Sequence, residues 1–163
     1  MPGAAAGTLV LAAAVLLAPV PVLEVTHEST GRVLWRVPLR QGSVVELRYT
    51  SSLFRVPVVE RFTVEGGRLR LVEVLSPADA VFEYLRMDPP YVRRGPWLAA
   101  TPQQPVELPA VVTRIGQTGQ QRLRVDGAEL ALFRVGTGEA VRIAVERRAR
   151  GFALWGRQAL PQE

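Results

Sequence analysis

From residue 22 onward the chain alternates apolar and polar side chains, the period of a strand with one face in a core and the other in water. Leu23, Val25 and His27 lead to the turn residues Ser29-Thr30-Gly31. Val33, Trp35 and Val37 then alternate with Arg32, Leu34 and Arg36, which predicts a hairpin. Val45, Leu47 and Tyr49 form one row of the next strand, with Glu46, Arg48 and Thr50 on its other face. The same rhythm predicts strands over 58–64, 69–75, 107–115, 121–125, 129–135 and 140–147, separated by glycine-bearing turns. Short strands at this spacing, with no long helix between them, predict an all-β domain, either an antiparallel β-sandwich or a partly open barrel.

Two segments break the rhythm. Residues 77–87 (PADAVFEYLRM) follow Ser76, a candidate N-cap, and carry Ala80, Val81, Tyr84 and Leu85 at helical spacing, which predicts a short helix. Residues 88–109 are too proline-rich for an interior strand and predict a long irregular loop. On that loop Tyr91, Arg93, Arg94 and Trp97 make an aromatic and cationic interaction surface, unless Trp97 serves as a plug across the end of the sandwich.

The first residues follow another logic. Residues 3–23 are uncharged and mostly apolar, about the length that crosses a bilayer as a helix. They predict an N-terminal apolar helix: an uncleaved membrane anchor, a cleaved signal peptide, or an Ala-rich helix buried in a soluble fold. A basic leader is missing, and a cut after Ala18 places Pro19 beside the scissile bond, which favours the anchor. The resulting plan is 1–21 as signal peptide or anchor, 22–150 as the sandwich and 151–163 as a C-terminal tail.

Composition narrows the chemistry. The chain has 163 residues, enough for one domain with a real core. It has no cysteine, which excludes a disulfide framework, thiolate zinc sites and a Cys nucleophile. The net charge of +5 comes from arginines scattered among glutamates, with no aromatic-interleaved basic stripe, so a solvated basic surface is expected and a nucleic-acid partner is not. Such a surface also suits anionic partners or lipid headgroups. His27 is the single histidine and reads as a surface residue rather than a metal ligand; neither a metal nor a cofactor is expected.

Two acidic residues sit where the core should be. Glu60 falls in the row of Val58, Phe62 and Val64; Glu73 falls in the row of Leu69, Leu71 and Leu75. Gly66-Gly67 joins the two strands as a two-residue hairpin loop, which pairs Glu65 with Arg68, Val64 with Leu69 and Phe62 with Leu71. Continued without a break, that register sets Glu60 directly opposite Glu73. Like charges opposed on an apolar face are costly and need a shared proton, an arginine, a cation or water. Tyr49, Ser51 and Ser52 approach from the neighbouring strand, and Arg55 sits in the turn above. The expectation is a polar cluster of Tyr49, Ser51, Arg55, Glu60 and Glu73: an internal ion pair, or a site for a cation or small polar ligand. Paired carboxylates also serve hydrolases, but no accompanying catalytic motif is present, and no enzymatic activity is expected.

The run Tyr49-Thr50-Ser51-Ser52-Leu53-Phe54-Arg55-Val56-Pro57-Val58-Val59-Glu60 resembles the central motif of a family of exported bacterial proteins encoded beside TAXI-type TRAP (tripartite ATP-independent periplasmic) transporters. That motif runs Tyr-Thr-His-Ser-Val, a variable residue, Lys-Thr-Pro-Val, a variable residue, Glu. Tyr49, Thr50, Ser52, Pro57, Val58 and Glu60 match it, and Arg55 keeps the positive charge. The later stretch 114–132 is similar to the family's C-terminal half. Ser51 stands where the motif has His, and 76–90 replaces a glycine-rich segment. The resemblance implies an extracytoplasmic, membrane-held accessory or binding domain of a TRAP-type uptake system, with a permease or solute-binding subunit as partner. A stand-alone module for a small ligand or cation is the alternative.

Overall fold

The computed structural model describes residues 18–150. The predicted apolar helix and the C-terminal tail therefore lie outside the described residues, except at one point. Residues 19–21, assigned to the signal peptide or anchor by hydropathy, belong to the first strand, whose N-terminal prolines alternate with apolar residues. Among the described residues no helix is long and apolar enough to cross a membrane.

The elements run β1 (Pro19–His27), β2 (Val33–Pro38), β3 (Val44–Thr50), β4 (Pro57–Glu65), β5 (Arg68–Ser76), α1 (Ala80–Tyr84), β6 (Val92–Arg94), β7 (Trp97–Ala100), β8 (Val106–Leu108), β9 (Ala110–Arg114), β10 (Arg122–Val125), β11 (Ala128–Ala131), a 3-10 turn (Leu132–Val135) and β12 (Ala140–Ala149). They form two antiparallel sheets rather than a closed barrel. A four-stranded sheet has the order β2-β1-β12-β9. An eight-stranded sheet has the order β11-β10-β3-β4-β5-β7-β6, with β8 paired beside β5.

Inward-facing rows from both sheets make the main core. Leu23, Val25, Trp35, Val37, Val141 and Ile143 of the smaller sheet meet Val45, Leu47, Phe62, Leu69 and Leu123 of the larger. The smaller sheet is too narrow to roof all of its partner. At the far end, the inner face around Val58, Val74 and Ala100 is covered instead by Val81, Phe82 and Met87, from α1 and the chain that follows it. The inner face of the larger sheet thus has two separate roofs.

Three expectations are corrected here. Segment 107–115 is two strands in different sheets, β8 on β5 and β9 on β12. Pro109 stands between them, where it interrupts the ladder. Residues 88–109 are not one irregular loop, for β6 and β7 pair as a hairpin through Gly95 at φ 61° and extend the larger sheet. The short helix is shorter than predicted. Its cap is Asp79, whose carboxylate accepts the Ala80 N–H, and the Ser76 hydroxyl instead accepts the Ala78 N–H.

Candidate ligand-binding groove

The β4–β5 hairpin begins as the sequence predicts. Gly66 and Gly67 both take positive φ, and Glu65–Arg68, Val64–Leu69 and Phe62–Leu71 are paired. Then the register shifts. A β-bulge at Val72 places Glu73 opposite Arg61 rather than Glu60, and Val74 opposite Glu60. Because side chains alternate faces, the extra residue sends Glu60 inward and Glu73 outward. The expected face-to-face carboxylate pair does not exist. Leu75, also assigned to the inner row, packs on the outer face against Val59, Ala99 and Trp97.

Glu73 finds its compensation on that outer face. It is 9% exposed and accepts hydrogen bonds from Arg61 at 2.7 Å and from Arg94. Arg61 also bonds Glu46 at 2.9 Å, and Glu46 in turn holds Arg48. Burial alone pushes the Glu46 carboxyl up, but the hydrogen bonds and charges of Arg48 and Arg61 outweigh it and hold it below its ordinary value. The smaller sheet carries a matching cluster. Glu24, 6% exposed, bonds Arg36 at 2.6 Å and Arg148 at 3.2 Å, and these outweigh its desolvation in the same way.

Among the described residues no arginine is bonded to Glu60. Its Oε1 accepts the Tyr49 hydroxyl at 2.7 Å, a bond made because Leu47 pairs with Glu60 and Tyr49 with Val58, on one face of the β3–β4 ladder. Oε2 has no hydrogen-bond partner among the described residues. The side chain keeps some solvent contact, yet protein walls surround it. Burial pushes its carboxyl up, and the Tyr49 hydrogen bond only partly opposes this. Burial, followed by the neighbouring Glu60 charge, raises the Tyr49 phenol as well.

The walls belong to a groove between the two roofs. One cavity of about 520 Å³ has a floor of Leu47, Tyr49, Val58 and Glu60, a wall of Val81, Tyr84 and Leu85 from α1, and a facing wall from β9. Residues 111–114 all line it consecutively, so it is the unpaired edge of β9, and not one of its faces, that borders the space. Ser51 and Ser52 lie at its mouth. A second cavity of about 430 Å³, lined by Phe62, Leu71, Leu85, Met87, Val106 and Leu108 among others, also reaches Glu60. Glu60 is therefore the acidic residue shared by two chambers, the first of mixed polar and apolar lining and the second mostly apolar.

Of the predicted cluster, Tyr49, Ser51, Ser52 and Glu60 come together. Arg55 does not join them; it is exposed in the β3–β4 turn at φ 57°, with its N–H bonded to the Ser51 carbonyl. Glu73 lies on the opposite face of the sheet. The predicted interaction surface is also divided: Arg94 and Trp97 face the outer cluster, while Tyr91 packs on Phe82 with ring centroids 4.7 Å apart and donates to the Met87 carbonyl. Arg93 is exposed. His27 is paired rather than free on the surface, its Nε2 being 2.9 Å from Glu139. No group of three or more His, Cys, Asp or Glu residues able to hold a metal occurs among the described residues.

Sequence reasoning missed Gln121. It is 7% exposed, lines the larger cavity, donates to the Arg114 carbonyl at 3.2 Å and leaves Oε1 buried without a partner. A turn rich in Gly and Gln gives no period from which to place such a residue. Comparison of the chain with protein-family models, with curated proteins and with solved structures finds no match.

Proposed function

We propose that this chain is a ligand-binding accessory domain of a TRAP-type uptake system, held at the extracytoplasmic face of the membrane, and that its ligand occupies the groove over Glu60. The observation that carries the binding reading is the Tyr49–Glu60 pair at the floor where the two chambers meet. A carboxyl beside Leu47 and Val58 in a concavity of mixed polar and apolar walls, with one oxygen unpartnered among the described residues, offers a small molecule both a polar anchor and apolar surface. It favours a ligand with an ammonium or hydroxyl head and an apolar body. An ammonium supplies the charge that Glu60 lacks and three N–H donors.

The transport assignment is supported by the motif resemblance, whose first and last residues are the two that bond each other here. A hydrolase working through paired carboxylates loses its support, since Glu60 and Glu73 lie on opposite faces. Two experiments test the reading. Benzylamine, as a probe, is expected to raise the melting temperature of the wild type saturably and to leave a folded Glu60→Gln variant unmoved; equal effects on both proteins would contradict the site. Recovery of permease or solute-binding subunits with the tagged protein from membranes supports the accessory role, and recovery of the protein alone contradicts it.

A further inference from the structure

The outer face of the larger sheet holds a chain of alternating charges that is left open. It runs Arg48–Glu46–Arg61–Glu73–Arg94, with contacts of 2.6, 2.9, 2.7 and 2.5 Å. Three guanidiniums flank two carboxylates, so among the described residues one positive charge is uncompensated and both ends of the chain are arginine. Each guanidinium keeps at least one N–H group without a partner among the described residues: Nη1 of Arg48, Nη2 of Arg61, and Nε and Nη2 of Arg94.

All three arginines line a single cleft of about 500 Å³, which no carboxylate lines among the described residues. Its apolar part is Val59, Leu75 and the Trp97 ring, the outward-facing cluster created by the bulge at Val72. We infer that this cleft is a second binding site, separate from the groove over Glu60, for an organic monocarboxylate with a flat or branched apolar body. The carboxylate takes the free N–H groups and closes the charge chain as its third anion; the body lies on Val59, Leu75 and Trp97. A guanidinium fork suits a planar carboxylate with two parallel hydrogen bonds, and the indole face suits a flat apolar group. The two sites centre on opposite faces of β4, meet at the end of the sheet where Tyr49, Thr50, Val58 and Gly119 line both, and take ligands of opposite charge.

Benzoate is the probe, and the indole N–H resonance of Trp97 and the Nε–H resonance of Arg94 are the readouts. Benzoate is expected to shift both resonances saturably, whereas benzylamine and an equal concentration of chloride do not. Arg94→Gln and Arg48→Gln, both at partly exposed side chains, should each weaken benzoate binding about tenfold, the loss of one charge-assisted hydrogen bond. Glu60→Gln should leave benzoate binding unchanged, so failure of the groove reading and failure of this one are told apart. Absence of a benzoate shift at Trp97, a shift that chloride reproduces, or wild-type affinity for benzoate in both arginine variants would overturn the proposal.

Discussion

Arg61 stands directly across the β4–β5 ladder from Glu73 and donates to its Oε2 at 2.7 Å. The bulge at Val72 makes this pairing, and it puts the two inner-row acids of the hairpin on opposite faces. Glu73, Glu46 and Glu24 face outward and are held by arginines. Glu60 faces inward and is held by one phenol. Removing Arg61 leaves Glu73 and Glu46 each with a single cation. Arg61→Leu is expected to destabilise the fold by about 1–3 kcal/mol, since a well-covered carboxylate loses a charge-assisted hydrogen bond. Urea denaturation with an unchanged m-value checks it.

The pH dependence of Glu60 has the opposite sign to that of Glu24 and Glu46. In the unfolded chain Glu60 loses its proton near 4.5, whereas in the folded protein it keeps it to a higher pH. Between those two values the folded state binds the proton and the unfolded state does not, so wild-type stability falls as pH rises through the window. Below 4.5 both states are protonated and no loss arises. Glu60→Gln cannot ionise, and its stability relative to wild type should therefore rise across the window, by at most about 1.4 kcal/mol per pH unit. Denaturant titrations of both proteins at several pH values measure it.

Glu24 and Glu46 behave conversely. Their folded-state values lie below the ordinary 4.5, so their contribution is present above 4.5 and lost as pH falls through the folded value. Glu24→Gln should cost about 1–2 kcal/mol at neutral pH, because Arg36 and Arg148 keep partial access to water once their partner is neutral. The cost should shrink in strong acid. The same denaturant series, extended below pH 4, checks the sign.

Gly119 leaves no room for a side chain. A Cβ there would lie 2.4 Å from Gln121 Nε2, and Gln121 is fixed by its bond to the Arg114 carbonyl. Gly119→Ala is expected to cost about 1–3 kcal/mol by forcing that buried side chain to move. Because Gln121 and Gly119 both wall the larger chamber, the variant should also weaken benzylamine binding. Thermal unfolding with and without the amine separates the two effects.

Much of the framework was legible from the chain. Period-two alternation gave β1 to β5 and β12, and Gly66-Gly67 gave the hairpin and its first three pairs. The bulge was not legible, because the pairing rule that fixes Phe62 on Leu71 carries no information about an extra residue beyond it. The consecutive apolar residues Val74-Leu75 are the trace it leaves, Val74 packing on the inner face and Leu75 on the outer. The strands β6 to β8 were hidden because each is only three or four residues long and lies among prolines. At the site, alternation places Tyr49, Ser51 and Glu60 on one face, and Ser52 comes from the motif resemblance. The walls of the groove were not, because they come from α1 and β9, elements whose neighbours are set by packing between sheets rather than by local pattern.

The most direct measurement of the central claim is the carbon-13 resonance of the Glu60 carboxyl, followed during titration with benzylamine and again as a function of pH. Amine bound over Glu60 should give a saturable shift of that carboxyl and a titration midpoint lower than in the free protein, because an ammonium beside it favours the charged form. A Glu60 resonance and midpoint that stay where they are at saturating amine would contradict the claim.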